Sequence, residues 1–314
     1  MFGLNKGKNL KFFYYLRNVC GSLLPNAFYR SRLQRTLHSI ELRDDKAYIH
    51  ERADYYNKLR RKTPLPESAR LVGDFRLKGH HSTYFFDSYQ YVRWFPKKFH
   101  WAYVFGDVIT VPEVPSVVKS RPLGVDNSNS ILLNMDKVRH FVFLNDRIAF
   151  KDKVDKVVFR GNIDGKCRRI DFVKKYQNHP MCDVGDIDYH DGCNHVGKMT
   201  IHEHLNYKFI MALEGNDVAT NLKWVMSSNS IAVMPAPTCE TWFMEGTLKP
   251  DYHYIEIKAD YSDLVEKLDY YIQHPDEAQR IIDHAHEYVR QFQDHKREKL
   301  ISLLVLDNYF KYTN

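Results

Sequence analysis

The chain has 314 residues, 44% hydrophobic and 27% charged, with a formal net charge of +7. That balance excludes intrinsic disorder, and the length exceeds what one hydrophobic core usually supports, so two domains are expected. No window approaches the ~18 uninterrupted apolar residues of a membrane-spanning helix. Arg17, Asn18 and Arg30 interrupt the early apolar stretches, so no cleavable signal peptide is expected.

The excess charge is local. Residues 1–40 hold Lys6, Lys8, Lys11, Arg17, Arg30, Arg32 and Arg35 and no Asp or Glu, and the remainder is neutral. These cations alternate with Leu10, Phe12, Phe13, Tyr14, Tyr15, Leu16, Leu23 and Leu24. Such a segment suits an anionic membrane surface, through charge attraction plus shallow apolar burial. It equally suits an amphipathic helix packed on the protein's own body. No nucleic-acid-binding module accompanies it, so nucleic acid is not an expected partner. Five scattered cysteines (20, 167, 182, 193 and 239) favour reduced thiols and a cytoplasmic setting.

Residues 41–62 have a charged, helical rhythm that ends at "TPLPES". From Leu71 to about Asn145 short β-type runs are expected, including "STYFFDSYQYVRWF", "WAYVFGDVITV", "SILLNM" and "HFVFLND". The charge-rich "DRIAFKDKVDK" (146–156) is the expected linker. "KVVFRG" then reads as a strand, and "CRRIDFVKKYQN" as a helix with Ile170, Val173 and Tyr176 on one face. Thr200 and Glu203 have capping-box spacing. "YKFIMALEG", "SIAVMP" and "YHYIEI" read as strands. "DVATNLKWVMSSN" reads as a helix capped by Asp217, and "SDLVEKLDYYIQ" and "PDEAQRIIDHAHEYVRQF" as helices, the last with Pro275 at or before its first turn. Strands alternating with helices imply a parallel sheet covered on both faces, and such sheets bind ligands beyond the carboxyl ends of their strands.

That rule singles out two turns. Arg160-Gly161 follows the first strand of the second half, with Arg168 close behind. Guanidinium groups grip phosphate with paired hydrogen bonds, and glycine lets backbone approach a ligand. Gly215 follows the next strand, and the helix expected to start at Asp217 would offer its first-turn N–H groups to an anion. Lys223 lies six residues further on, within reach only by stretching back. Two such turns suit a diphosphate; alternatively both glycines only make tight turns and the arginines are solvated.

"VVFRGNIDGKCRRIDF" (157–172) also resembles a triphosphate loop, but three residues separate its glycines and Cys167 stands where a hydroxyl is needed, which argues against an NTPase. Cys182, His190, Cys193, His195, His202 and His204 lack the tight pair spacing of structural zinc. Asp186 and Asp188 form the one acidic-x-acidic unit there, so no metal site is assigned.

The segments "FRGNIDGKCRR" (159–169), "HLNYKFIMALEGNDVATNLKW" (204–224), "SNSIAVMPAPTCETWFMEGTLKPDYHYIEIKADYSDL" (228–264) and "DEAQRII" (276–282) follow one another in an order and spacing that resemble the glycosyltransferase family 90 domain. The resemblance runs from about Asp155 to Gln273 and is strongest with bacterial lipopolysaccharide core glycosyltransferases. In residues 71–150 it is thinner, held by "FFDSY", "VFGDVITVPEVPSVVKSRP" and "SILLN".

The resemblance implies an α/β, GT-B-type fold, two Rossmann-like domains with a cleft between them. The expected divisions are 1–40 as the basic segment, 41–150 as the acceptor-side domain, 151–295 as the nucleotide-sugar-binding domain, and 296–314 as a C-terminal helix returning to the N-terminal domain. It implies an inverting hexosyltransferase with UDP-glucose or UDP-galactose as donor, no metal or other cofactor, and a lipopolysaccharide or lipooligosaccharide inner-core sugar as acceptor. The expected location is cytoplasmic, peripheral on the inner face of a bacterial inner membrane.

Arg168 falls where relatives bind donor phosphate, with Arg160, Gly161 and Gly215 beside it. Asn221 and Lys223 stand where relatives carry serine and arginine, so the charge is kept but the fork is lost. Glu245 fits the family's acidic position near Trp242 and Phe243. Asp107 fits the general base, which an inverting transfer needs to take the acceptor proton, and Asp87 is the alternative. A silent nucleotide-sugar-binding protein of the same fold, or a transferase acting on capsule or protein acceptors, remain alternative readings.

Overall fold

A computed structural model describes residues 11–22, 24–77 and 82–314. Lys6, Lys8, Leu10 and Leu23 of the basic segment lie outside these described residues. The described chain forms two compact units, one of residues 11–138, 239–244 and 292–314, the other of 139–238 and 245–291.

In the first unit the helices include α1 (Lys11–Ser22), α2 (Asn26–Arg30), α3 (Lys46–Tyr56) and α4 (Ser82–Val92). A three-stranded parallel sheet runs in the order β1 (Tyr103–Val104), β2 (Ser116–Val118), β3 (Ser130–Leu132). Val117, Val118, Ile131 and Leu132 bury its centre. The C-terminal helix His295–Thr313 packs along α3. There the Arg52 guanidinium donates to Glu298 Oε1 at 2.6 Å, and Tyr56 stacks on Trp242 with ring centroids 3.8 Å apart.

α1 packs on the protein's own body along one face and leaves the other face exposed. Its inner face meets α4, where Tyr14 Oη donates to the Thr83 carbonyl at 3.3 Å and the Tyr15 hydroxyl lies 3.1 Å from Ser82 Oγ. On its outer side Phe12, Phe13, Leu16 and Val19 are 70%, 60%, 47% and 49% exposed.

In the second unit β4 (Val154–Gly161), α5 (Cys167–Tyr176), β5 (Cys182–Asp186), β6 (Tyr207–Met211), α6 (Leu222–Met226), β7 (Ile231–Met234) and β8 (Ile255–Glu256) follow one another, and then α7 (Leu264–Gln273) and α8 (Pro275–Arg290). The five strands are all parallel in the order β8-β7-β6-β4-β5. Val157, Phe159, Val184, Phe209, Met211, Ile231, Val233 and Ile255 are among the sheet residues of one core, with Phe172, Ile281 and Ile282 packed on it from the helices. Both units are thus mixed α/β with parallel sheets. The Thr200–Glu203 capping box forms, and Pro275 occupies the first turn of α8.

Four expectations of secondary structure are corrected. "STYFFDSYQYV" is helix α4, not strand: Tyr84, Ser88 and Tyr91, and Phe85 and Val92, recur at helical spacing on its buried side. Its aromatic richness imitates β-propensity, and burial overrides it. "HFVFLND" forms no strand; within it Leu144 N–H donates to Ser227 Oγ, at the end of the helix Leu222–Met226, at 2.9 Å.

The charge-rich 146–156 stretch is no solvated linker. Lys153 is buried and donates to Asp146 Oδ2 at 2.8 Å, Asp146 accepts from Asn229 N–H at 3.0 Å, and Phe150 enters the core. Residues 139–150 therefore fold with the second unit. Finally, Asp217 caps no helix. α6 starts five residues later, after Asn221, which gives no side-chain cap. The expected first-turn anion site at Asp217 is not formed.

Candidate active site

The expected donor-side residues cluster at the carboxyl edge of the five-stranded sheet. β4 ends in Arg160-Gly161, and a turn through Gly165 (φ +66°) leads into α5. Only glycine adopts that backbone without strain. Lys166, at the start of α5, donates to Asn162 Oδ1 at 3.1 Å and to the Asp164 carbonyl at 2.9 Å, so it serves its own loop.

The arginines divide their roles. Arg160 is tied to the carboxylate of Asp183 on β5 and donates to its carbonyl at 2.7 Å. Burial pushes the Asp183 carboxyl upward, but hydrogen bonds from Tyr207 and Arg160 outweigh it and hold the group below its ordinary value. Arg168 is 63% exposed and reaches Glu214 Oε2 at 3.2 Å. Its backbone carbonyl accepts from Tyr261 Oη at 2.9 Å, which fixes where the side chain starts.

Arg169, not anticipated from sequence, joins the two turns. It donates to the Asn162 carbonyl at 3.0 Å, the Leu213 carbonyl at 2.7 Å and the Glu214 carbonyl at 3.1 Å. Gly215 is small for this reason: a Cβ there would come within 2.8 Å of Arg169 Nη2. At Gly161 a Cβ would meet Phe159 Cζ at 2.9 Å. Both glycines thus accommodate neighbouring side chains within the turns.

Behind this edge, Asn221 donates to the Met211 carbonyl at 2.8 Å. Lys223 and Glu245 form an ion pair and are almost fully buried. In the structure Lys223 meets a carboxylate inside the fold; it does not lie on the surface beside Arg168. Arg160, Gly161, Arg168 and Gly215 are therefore brought to one edge, while Asn221, Lys223 and Glu245 lie beneath it.

In the other unit Asp107 follows β1 in a loop that turns at Gly106 (φ +114°). Lys119, immediately after β2, forms an ion pair with Asp107 Oδ1, and Tyr84 Oη donates to the same oxygen at 3.3 Å. Lys119 is 2% exposed and Asp107 29%, so a buried cation holds a carboxylate that solvent reaches. This pair stands at the carboxyl end of its own parallel sheet. Asp87 has another place: it is fully buried on α4 and accepts from Lys137 N–H at 2.9 Å. Burial raises its pKa from the carboxylate norm, against the opposing charge of Lys137.

Among the described residues no group of three or more His, Cys, Asp or Glu comes together as a metal site, and the five cysteines are unbridged.

Residues 131–312, more than half of the chain, match the profile of Glycosyl transferase family 90. The chain is 39% identical over 302 residues to O-glucosyltransferase LpsA of Dichelobacter nodosus, covering 95% of this chain and 94% of that protein. It is 28% identical over 138 residues to Protein O-glucosyltransferase 3 of Rattus norvegicus and 27% identical over 138 to that of Homo sapiens; each match covers 41% of this chain and 27% of the relative. The family match and the near full-length relative place the chain in glycosyl transferase family 90.

Proposed function

We propose that this glycosyltransferase moves a hexose, glucose first and galactose as the alternative, from a UDP-sugar to an inner-core sugar of lipopolysaccharide or lipooligosaccharide. The observation that carries this reading is the near full-length similarity to a bacterial protein named an O-glucosyltransferase. The core acceptor rests on the family resemblance. In the GT-B reading, the unit with the five-stranded sheet takes the donor and the unit with Asp107 takes the acceptor.

In the proposed reaction the acceptor hydroxyl attacks the anomeric carbon from the face opposite UDP. The new C–O bond forms as the bond to the β-phosphate oxygen breaks, and that oxygen leaves with the electron pair. Asp107, held by Lys119 and Tyr84, takes the hydroxyl proton. Arg168 leaves Glu214 for the diphosphate and stabilises the charge that builds there. Arg160, Gly161, Arg169 and Gly215 fix the two turns, and Asn221 with the Lys223–Glu245 pair supports them from beneath. With cations in this role, the mechanism invokes no metal and gives inversion.

The exposed outer face of α1, next to Lys11 and Arg17, supports a peripheral membrane position; the cytoplasmic side is the proposed one, following the family resemblance. No helix among the described residues is long and apolar enough to cross a membrane.

The test is transfer of radiolabel from UDP-glucose or UDP-galactose to core-truncated lipooligosaccharide. Labelled acceptor from one donor is the expected result. UDP binding with no transfer to any core, capsule or protein acceptor would favour the silent binding protein.

A further inference from the structure

The unit that carries Asp107 contains a cavity of about 410 Å³ beside α1, lined by neither Asp107, Lys119 nor Tyr84, although Phe85 and Phe86 of its lining follow Tyr84 on α4. Ligand pockets span roughly 300–1,000 Å³, so this volume admits a small molecule. Val72, Phe85 and Phe86 give it an apolar floor, and Arg30, Arg76 and Lys97 stand on its wall. None of these three cations forms an ion pair among the described residues. Arg93 is different: it is spent on α1 and α2, donating to the Gly21 carbonyl at 2.7 Å and Asn26 Oδ1 at 2.8 Å, and so frames the cavity.

A second observation gives the direction from which a ligand enters. Val19 and Leu77 line the cavity and are also about half exposed, at 49% and 48%. Val19 belongs to the same outer face of α1 as Phe12 and Leu16, which follow one another at helical spacing. The apolar surface therefore runs from the outside of α1 into the cavity without a polar break at Val19. A ligand matching both features has an anionic head for the cations and a hydrocarbon part for the floor and rim.

We propose that this cavity is a binding site for a single anionic phospholipid, with the phosphate held by Arg30, Arg76 and Lys97 and the start of an acyl chain on Val72, Phe85 and Phe86. Guanidinium and ammonium groups at a membrane interface each strengthen phosphate binding severalfold. The site deepens the membrane-surface reading and is separable from it, since a monomeric lipid needs no bilayer. Its test needs no donor, so its failure is distinguishable from failure of the transfer reading.

The test titrates the full chain with monomeric dihexanoyl-phosphatidylglycerol by calorimetry. Saturable single-site binding is expected, weakened about tenfold or more in Arg76→Gln/Lys97→Gln, where both changed side chains are exposed and the fold is kept. Dihexanoyl-phosphatidylcholine, which lacks net charge, is expected to bind much more weakly. A Phe12→Ser/Phe13→Ser variant is expected to lose affinity for phosphatidylglycerol vesicles yet keep monomer binding. The proposal is overturned by absent saturable binding, by equal affinity in Arg76→Gln/Lys97→Gln, or by inorganic phosphate binding as tightly as the lipid, which would reduce the site to an anion site.

Discussion

Lys223 and Glu245 are sealed against each other inside the unit with the five-stranded sheet, the lysine side chain 0% and the glutamate 1% exposed. Two charges so placed depend on one another, because a buried carboxylate that loses its cation keeps its desolvation cost. Lys223→Met is expected to destabilise the protein by about 3–5 kcal/mol in urea unfolding. The double change with Glu245→Leu should cost less than the single one, since it removes both charges. A Lys223→Met protein of normal stability that fails to bind UDP would instead make Lys223 a direct ligand.

Arg168 is the contrasting case. It is well exposed and its partner Glu214 is shared with Thr238, whose N–H and hydroxyl donate to that carboxylate at 2.9 and 2.6 Å. Arg168→Ala should leave thermal stability within about 0.5 kcal/mol and weaken UDP about tenfold or more. Arg168→Lys should recover only part of the affinity, because an ammonium lacks the planar fork. Calorimetric titration with UDP checks both.

In the proposed reaction Lys119 acts through Asp107. Removing it in Lys119→Met leaves the carboxylate without the cation that orients it, and misplacement on the ångström scale lowers turnover roughly 100-fold. A positioning role predicts that kcat falls while KM for the UDP-sugar stays within about twofold. Loss confined to KM would contradict it.

His253 gives the protein an acid-sensitive element. Burial, aided by His284 and Lys249, pushes its pKa from 6.5 down to about 4. The unfolded chain then binds a proton that the folded chain refuses, so this contribution is complete above pH 6.5 and is lost as pH falls towards 4. A tenfold difference in proton affinity between folded and unfolded chains is worth about 1.4 kcal/mol, so the loss between about pH 7 and about pH 4.5 is roughly 2–3 kcal/mol. Urea unfolding at the two pH values should show this dependence reduced by that amount in His253→Gln.

Much of the second unit was legible in the sequence because its strands are short buried runs separated by amphipathic helices, and its punctuation is local. Thr200, Glu203 and Pro275 act within one turn of their own positions. Other features depend on distant partners. Arg169 does not stand out beside Arg168 in the sequence because two of the carbonyls that define its role lie more than forty residues away, and no local spacing reveals that Gly215 is small to admit it. The same holds for α4, where the buried stripe of a helix crowded with aromatics reads locally as strand. Family likeness offers Asp107 and Asp87 as candidate bases, and burial, which the sequence does not show, tells them apart: one carboxylate meets solvent and the other accepts from a backbone N–H inside the fold.

The central claim is that Asp107 takes the acceptor proton, and turnover of Asp107→Asn with UDP binding measured on the same sample tests it most directly. The amide keeps the shape but accepts no proton, so transfer should fall by at least about 100-fold while UDP affinity stays near that of the unaltered protein. Transfer at close to the normal rate would contradict the account.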